Sequence, residues 1–151
     1  MMGTVTYPNE HVIRYVSDNF IPFRVDFDNE SALLRRYNIF WTPTILFTDQ
    51  AGNARRRITG FLPPPAFLSH LAMGNAFVAF WGHNYSHAAE LFDAVAGDFP
   101  GSMLAPEAVY FRSVARRKAT NDNSHLDVAV EELDRLYPDS EWALRALPWK
   151  D

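Results

Sequence analysis

The chain has no cysteine among its 151 residues. That absence excludes disulfides, thiolate zinc sites and thiol nucleophiles within it. Glycine is scarce, at 7 residues, and none builds a glycine-rich phosphate loop, a Walker pattern or a Gly-x-Ser-x-Gly elbow. Nucleotide and hydrolase chemistry therefore have no support. No apolar run approaches the length of a membrane span, and Met1 to Pro8 lacks the basic-then-apolar order of a secretory signal. An excess of positive charge is missing too: the net charge is −4, which gives no broad attraction for nucleic acid or acidic membranes. The short basic runs Arg55-Arg56-Arg57 and Arg112 to Lys118 are expected to be solvated faces. A soluble, cytoplasmic protein without nucleic-acid or membrane partners is the expectation.

What is present is apolar and aromatic. Hydrophobic residues make up 48% and aromatics 15%, enough to bury a core in one domain or two small ones. From the N-terminus, Pro8-Asn9-Glu10 opens a helix whose Val12, Ile13, Val16 and Phe20 recur at helical spacing. Phe20 to Phe27 reads as a strand with Phe23, Val25 and Phe27 on one face. Asp28-Asn29-Glu30-Ser31 supplies cap chemistry for a short helix through Leu33, Leu34 and Tyr37. A hairpin follows, from Thr44 to Thr59, turning at Asp49 to Asn53 where Gly52 and Asn53 tolerate positive φ. Pro63-Pro64-Pro65 pre-sets the first turn of a helix from Ala66 to about Met73. A proline-rich ligand for an SH3-type partner is the other reading of those prolines, and the apolar periodic run that follows at once argues against it.

The chain is organised around Tyr37-Asn38-Ile39-Phe40-Trp41-Thr42-Pro43-Thr44-Ile45-Leu46-Phe47. Pro43 cannot donate to a ladder and so belongs at the mouth of a strand, with Trp41 and Thr42 pushed towards extended geometry. Thr42-Pro43-Thr44-Ile45-Leu46-Phe47 resembles the second half of a thioredoxin fold. Asp26-Phe27-Asp28, the Leu33 to Tyr37 helix, the Asp49 to Asn53 turn and Gly60 extend the resemblance over about residues 8 to 73. It implies a cis bond before Pro43 and a groove in which Trp41, Thr42 and Pro43 present backbone to an extended peptide. It also places a basic residue near Arg24. The redox members of that family carry Cys-x-x-Cys about forty residues before the proline, a place that falls at or just before Met1.

Past Gly74 the texture is helical. Helices are expected over Asn75 to Trp81, Ser86 to Val95, Ala105 to about Ala119 and Leu126 to Leu136. Phe99-Pro100-Gly101-Ser102 with Ala105 and Ala108 recurs as Tyr137-Pro138-Asp139-Ser140 with Ala143 and Ala146. With Tyr85, Ala88, Phe92 and Pro100 at matching spacing, residues 75 to 148 resemble two degenerate tetratricopeptide-like units. The expected fold class is thus α/β, with a thioredoxin-like domain at 1–74, lacking its N-terminal strand and Cys motif, and an all-α helical-hairpin region at 75–151.

By resemblance the chain belongs to the thiol–disulfide oxidoreductase group, yet no side chain here replaces the thiolate that disulfide exchange requires. No redox activity is expected of this cysteine-free chain. The alternative is a non-enzymatic module that binds a protein or peptide through the groove and the helical repeats. The resembling fold also has a strand between those at Phe23–Phe27 and Thr44–Phe47, which Met1 to Tyr7 cannot supply. A natural chain beginning upstream, with that strand and the cysteines, is the expectation, and strand exchange between two chains offers a route to a homodimer. No cofactor or metal is expected. His83 and His87 have metal-ligand spacing, but the helix is expected to start only at about Ser86 and no third ligand is near. Asp26 and Asp28 are read as a solvated strand edge and a helix cap rather than paired catalytic carboxylates.

Overall fold

A computed structural model of the chain describes residues 1–27 and 31–150. The chain falls into two compact units, Met1–Leu71 and Ala72–Asp151.

In the first unit, Met2–Thr6 makes a π-helical turn. Thr6 is buried, and its hydroxyl donates to the Leu62 carbonyl at 2.5 Å. Helix α1 spans Glu10–Asn19 and starts where it does because the Asn9 side chain accepts from the amides of His11 and Val12. Its inner face is narrow: Val12 is buried while the adjacent Ile13 is half exposed. Helix α2 spans Ser31–Arg36; the cap chemistry expected of Asp28 to Ser31 lies outside what is described. Asn38, at φ 50°, ends α2 in left-handed geometry. The Ile39 amide then reaches the Leu34 carbonyl and the Asn38 amide that of Arg35, the paired bonds of a Schellman stop.

The sheet has two antiparallel strands, β1 (Thr44–Thr48) and β2 (Ala54–Thr59). Thr44 opposes Thr59 and Phe47 opposes Arg56; Thr48 then opposes Ala54, so Arg55 is the extra residue of a bulge. Between the strands the Asp49 carboxylate accepts from the Ala51 and Asn53 amides, and Gly52 takes φ 76°. A Cβ at Gly52 would meet the Arg36 guanidinium at 3.1 Å and the Tyr37 hydroxyl at 3.3 Å, so this position needs glycine twice over.

The strand expected over Phe20 to Phe27 is not formed. Residues 20–26 carry no ladder, and Ile21 and Phe23 are 98% and 81% exposed. The alternation is there, but a strand exists only by pairing, and β1 pairs with β2 alone among the described residues. Only Phe20 turns inward, packing edge-on against Phe47 at 5.6 Å.

The helix expected to stop at Met73 and restart at Asn75 is one element, α3 (Pro64–Trp81). A helix-interior glycine costs about 1 kcal/mol relative to alanine. Burying Met73, Ala76 and Phe77 on either side of Gly74 outweighs that, at about 1.5–3 kcal/mol for each large side chain.

The second unit comprises α3 from Ala72 onward with α4 (Tyr85–Asp98), α5 (Ala105–Thr120), α6 (Ser124–Leu136) and α7 (Glu141–Ala146). Phe92 is fully buried and lies within 5.1–6.2 Å, centroid to centroid, of Phe77, Phe80 and Phe111. Val109, Val130, Leu133, Ala143 and Ala146 form a second cluster, the alanines letting helices approach closely. The sequence repeat has a structural counterpart. The Ser102 amide donates to the Phe99 carbonyl and Ala105 to Ser102, as Ser140 does to Tyr137 and Ala143 to Ser140. Beyond that turn the two copies diverge. The first continues into the sixteen residues of α5, the second into the six of α7 and a 3-10 turn at Leu147–Trp149. Pro148 withholds the amide that a longer helix needs.

The basic run in α5 is not a solvated face throughout. Arg112 is 7% exposed; one terminal nitrogen donates to Asp93 of α4 at 2.7 Å and the other to Glu132 of α6. The ion pairs and hydrogen bonds to both acids raise the Arg112 pKa above its ordinary value, against the desolvation that would lower it. This residue therefore ties three helices together.

Candidate functional site

The segment Phe40 to Pro43 joins α2 to β1. Its backbone is held at both ends. On the α2 side, Arg57 of β2 donates to the carbonyls of Tyr37 and Asn38, and the Tyr37 hydroxyl donates to the Gly52 carbonyl at 2.7 Å. On the strand side, the Thr44 hydroxyl donates to the Trp41 carbonyl at 2.7 Å. The Gly60 amide, with Gly60 at φ 97°, donates to the Pro43 carbonyl at 2.8 Å. The Thr42–Pro43 peptide bond is cis.

Between those tethers the loop is open. Phe40 is 81% and Trp41 68% exposed, and Thr42 is exposed beside them. The amides of Phe40, Trp41 and Thr42 make no hydrogen bond with any described residue. The arrangement offers two aromatic surfaces and a short run of unused donors on a braced backbone. Such a surface suits an extended peptide, which brings carbonyls for the donors and side chains for the rings. It holds no thiol. Trp41, Thr42 and Pro43 thus lie together, as adjacent residues must; Arg24 makes no hydrogen bond or ion pair with them. What sequence reasoning missed is the brace. Arg57 is exposed, as expected of its run, yet its guanidinium also reaches the Tyr37 and Asn38 carbonyls, which only the turn of α2 onto the hairpin brings within range.

At the other end of β1 from this loop, the Asp49 turn is a charged anchor. The side chain and amide of Asn53, then Arg55 at 2.6 Å, hold the Asp49 carboxyl down at about 2. His83 proves to be the left-handed stop residue of α3, at φ 63°, with its ring bonded to the Tyr85 hydroxyl at 2.7 Å. His87 contacts Glu90 instead. Among the described residues no group of three His, Asp or Glu side chains is placed to hold a metal ion. No helix among them is long and apolar enough to cross a membrane.

This loop, hairpin and flanking helices lie inside a stretch with known relatives. Residues 3–74 match the thioredoxin-like domain family. A curated relative, the thiol:disulfide interchange protein DsbD of Cronobacter sakazakii, is 50% identical over 42 residues. That match covers 26% of this chain and 7% of the relative's length. No solved structure matches the chain significantly. The N-terminal part is therefore thioredoxin-like, with a small two-stranded sheet among helices, and its similarity runs to the thiol–disulfide oxidoreductase type of protein.

Proposed function

We propose that this cysteine-free chain is a thioredoxin-like module that binds an extended polypeptide segment at Phe40, Trp41, Thr42 and Pro43 and does not itself exchange disulfides. The observation that carries the reading is the pairing of exposed aromatic rings with three unused amides on a backbone braced by Arg57, Thr44 and Gly60. Thiol–disulfide exchange requires a thiolate as attacking group, and the chain has none. We read residues 75–148 as two degenerate tetratricopeptide-like units that contribute further protein-binding surface; the repeated turn at Phe99–Ala105 and Tyr137–Ala143 supports that reading.

The test is fluorescence anisotropy with a panel of labelled extended peptides, alongside an insulin-reduction assay on the same chain. Binding that falls about tenfold or more in Trp41→Ala, at unchanged melting temperature, is the expected result, since an exposed anchor residue contributes to the complex and not to the fold. Equal binding by the variant would remove the loop from the site. Turnover of insulin by the chain would overturn the non-redox assignment.

A further inference from the structure

Asn121, left-handed at φ 59°, ends α5 and turns the chain back into α6. That reversal brings Arg117, in the last turn of α5, and Asp127, in the first turn of α6, to one cavity of about 520 Å³. Tyr110, Leu126 and Trp149, all half-buried, line the same cavity. Its aromatic wall is held in place. Trp149 stacks on Tyr110 at 4.4 Å between ring centroids, and the next residue, Lys150, is tied to Asp134 of α6 at 2.5 Å. The volume lies in the range of small-molecule sites, about 300–1,000 Å³.

The charges in this cavity select the ligand. Arg117 is oriented by its Nε, which donates to the Asn123 side-chain oxygen at 2.8 Å, and its terminal nitrogens meet no acceptor among the described residues. Asp127 has neither an ion pair nor a hydrogen bond through its side chain among them. One cavity therefore carries an unpaired cation and an unpaired anion beside aromatic and apolar walls. A ligand of single charge is repelled by the residue of its own sign, and a neutral ligand leaves both charges unanswered. A carboxylate, an ammonium and a ring in one small molecule answer all three features.

We propose that this cavity binds an aromatic amino acid, free or as a dipeptide with both ends free. Its carboxylate is held by the Arg117 guanidinium, its ammonium by the Asp127 carboxylate, and its ring by Trp149 and Leu126. None of the residues of the Phe40–Pro43 loop takes part, so the inference stands apart from the peptide-binding reading.

Titration followed by the Trp149 indole N–H resonance, assigned with Trp149→Phe, tests it, with circular dichroism confirming that each variant is folded. The probes are phenylalanine, the dipeptide of two phenylalanines, phenylalanine amide, which lacks the carboxylate, and N-acetylphenylalanine, which lacks the ammonium. Phenylalanine or the dipeptide should bind, whichever is tighter naming the source, and each blocked compound should bind phenylalanine's site about tenfold or more weakly. Arg117→Gln should erase the preference for phenylalanine over its amide and keep that over the acetylated compound. Asp127→Asn should do the converse. A merely structural role for either residue would change all the affinities alike, so preferences that survive in both variants overturn the proposal. An indole resonance that stays fixed up to about 10 mM phenylalanine and dipeptide overturns it too. Equal binding of phenylalanine and N-acetylphenylalanine would mark a site for the carboxyl terminus of a partner chain, and overturns it equally.

Discussion

Arg112 offers the sharpest check on how the helical unit is held. Its guanidinium is the one strongly buried cation among the described residues whose two partners come from two other helices, Asp93 in α4 and Glu132 in α6. Removing one member of a fully buried pair costs about 3–5 kcal/mol, most of it from the charge left behind. Here the two acids are not equally stranded. Asp93 is about half exposed and keeps Arg116 at 3.6 Å, so water and a second cation cover its loss. The Glu132 side chain is only 22% exposed and has no second cation in salt-bridge range among the described residues. Discounting the Asp93 side leaves about 2–3 kcal/mol for Arg112→Met. In a unit of this size that is roughly 10–20 °C in melting temperature. Arg112→Lys should recover little, because one ammonium cannot fork to acids on two helices. Adding Glu132→Gln to Arg112→Met removes the stranded charge and should return about 1 kcal/mol or more. Urea denaturation followed by far-ultraviolet circular dichroism measures all three. A cost for Arg112→Met below about 0.5 kcal/mol, or no recovery in the double variant, would show that the three helices hold by packing alone.

Other outcomes follow from the same physics. The Asp49 carboxyl is held down at about 2 by Asn53 and Arg55. Its contribution to stability is then complete above the ordinary carboxylate range near 4 and is lost as pH falls through about 2; carbon-detected NMR titration should find the low midpoint, and Asp49→Asn should abolish that part of the acid dependence. Phe92→Ala should cost about 3–5 kcal/mol, since the ring is fully buried among Phe77, Phe80 and Phe111 and the helices cannot collapse into the space. Denaturant melts on that variant measure it directly.

Local signals were legible in the residues. The Pro8-Asn9-Glu10 helix start, the Asp49 to Asn53 turn and the prolines at the start of α3 each act within a few residues, and each element begins or turns close to where those residues place it, although the cap of α1 is Asn9 and Pro8 lies just outside the helix. The thioredoxin-like character of residues 3–74 was legible as well, because the order Thr42-Pro43-Thr44 with an apolar strand is local. Phe20 to Phe27 misled for a physical reason. Alternation says which face a strand would bury, and it does not supply the neighbour that makes a strand. Gly74 misled in the opposite sense, since a local penalty of about 1 kcal/mol is small beside the burial on either side of it. Arg112 and Arg57 could not be assigned from composition at all. Their partners lie 19 to 20 residues away along the chain.

The amino-acid order alone determined that this chain carries no thiol, because folding cannot supply a side chain that is not there. It also determined where helices start and where the hairpin turns, since caps and turn residues bond within their own few positions. Tertiary structure alone decided which of the fourteen basic side chains are braces or bridges and which are solvated. It alone decided, too, that Phe40 and Trp41 stay exposed beside unused amides while Phe92 vanishes into the core. Burial and pairing depend on what arrives from elsewhere in the chain, and only the folded arrangement brings it there.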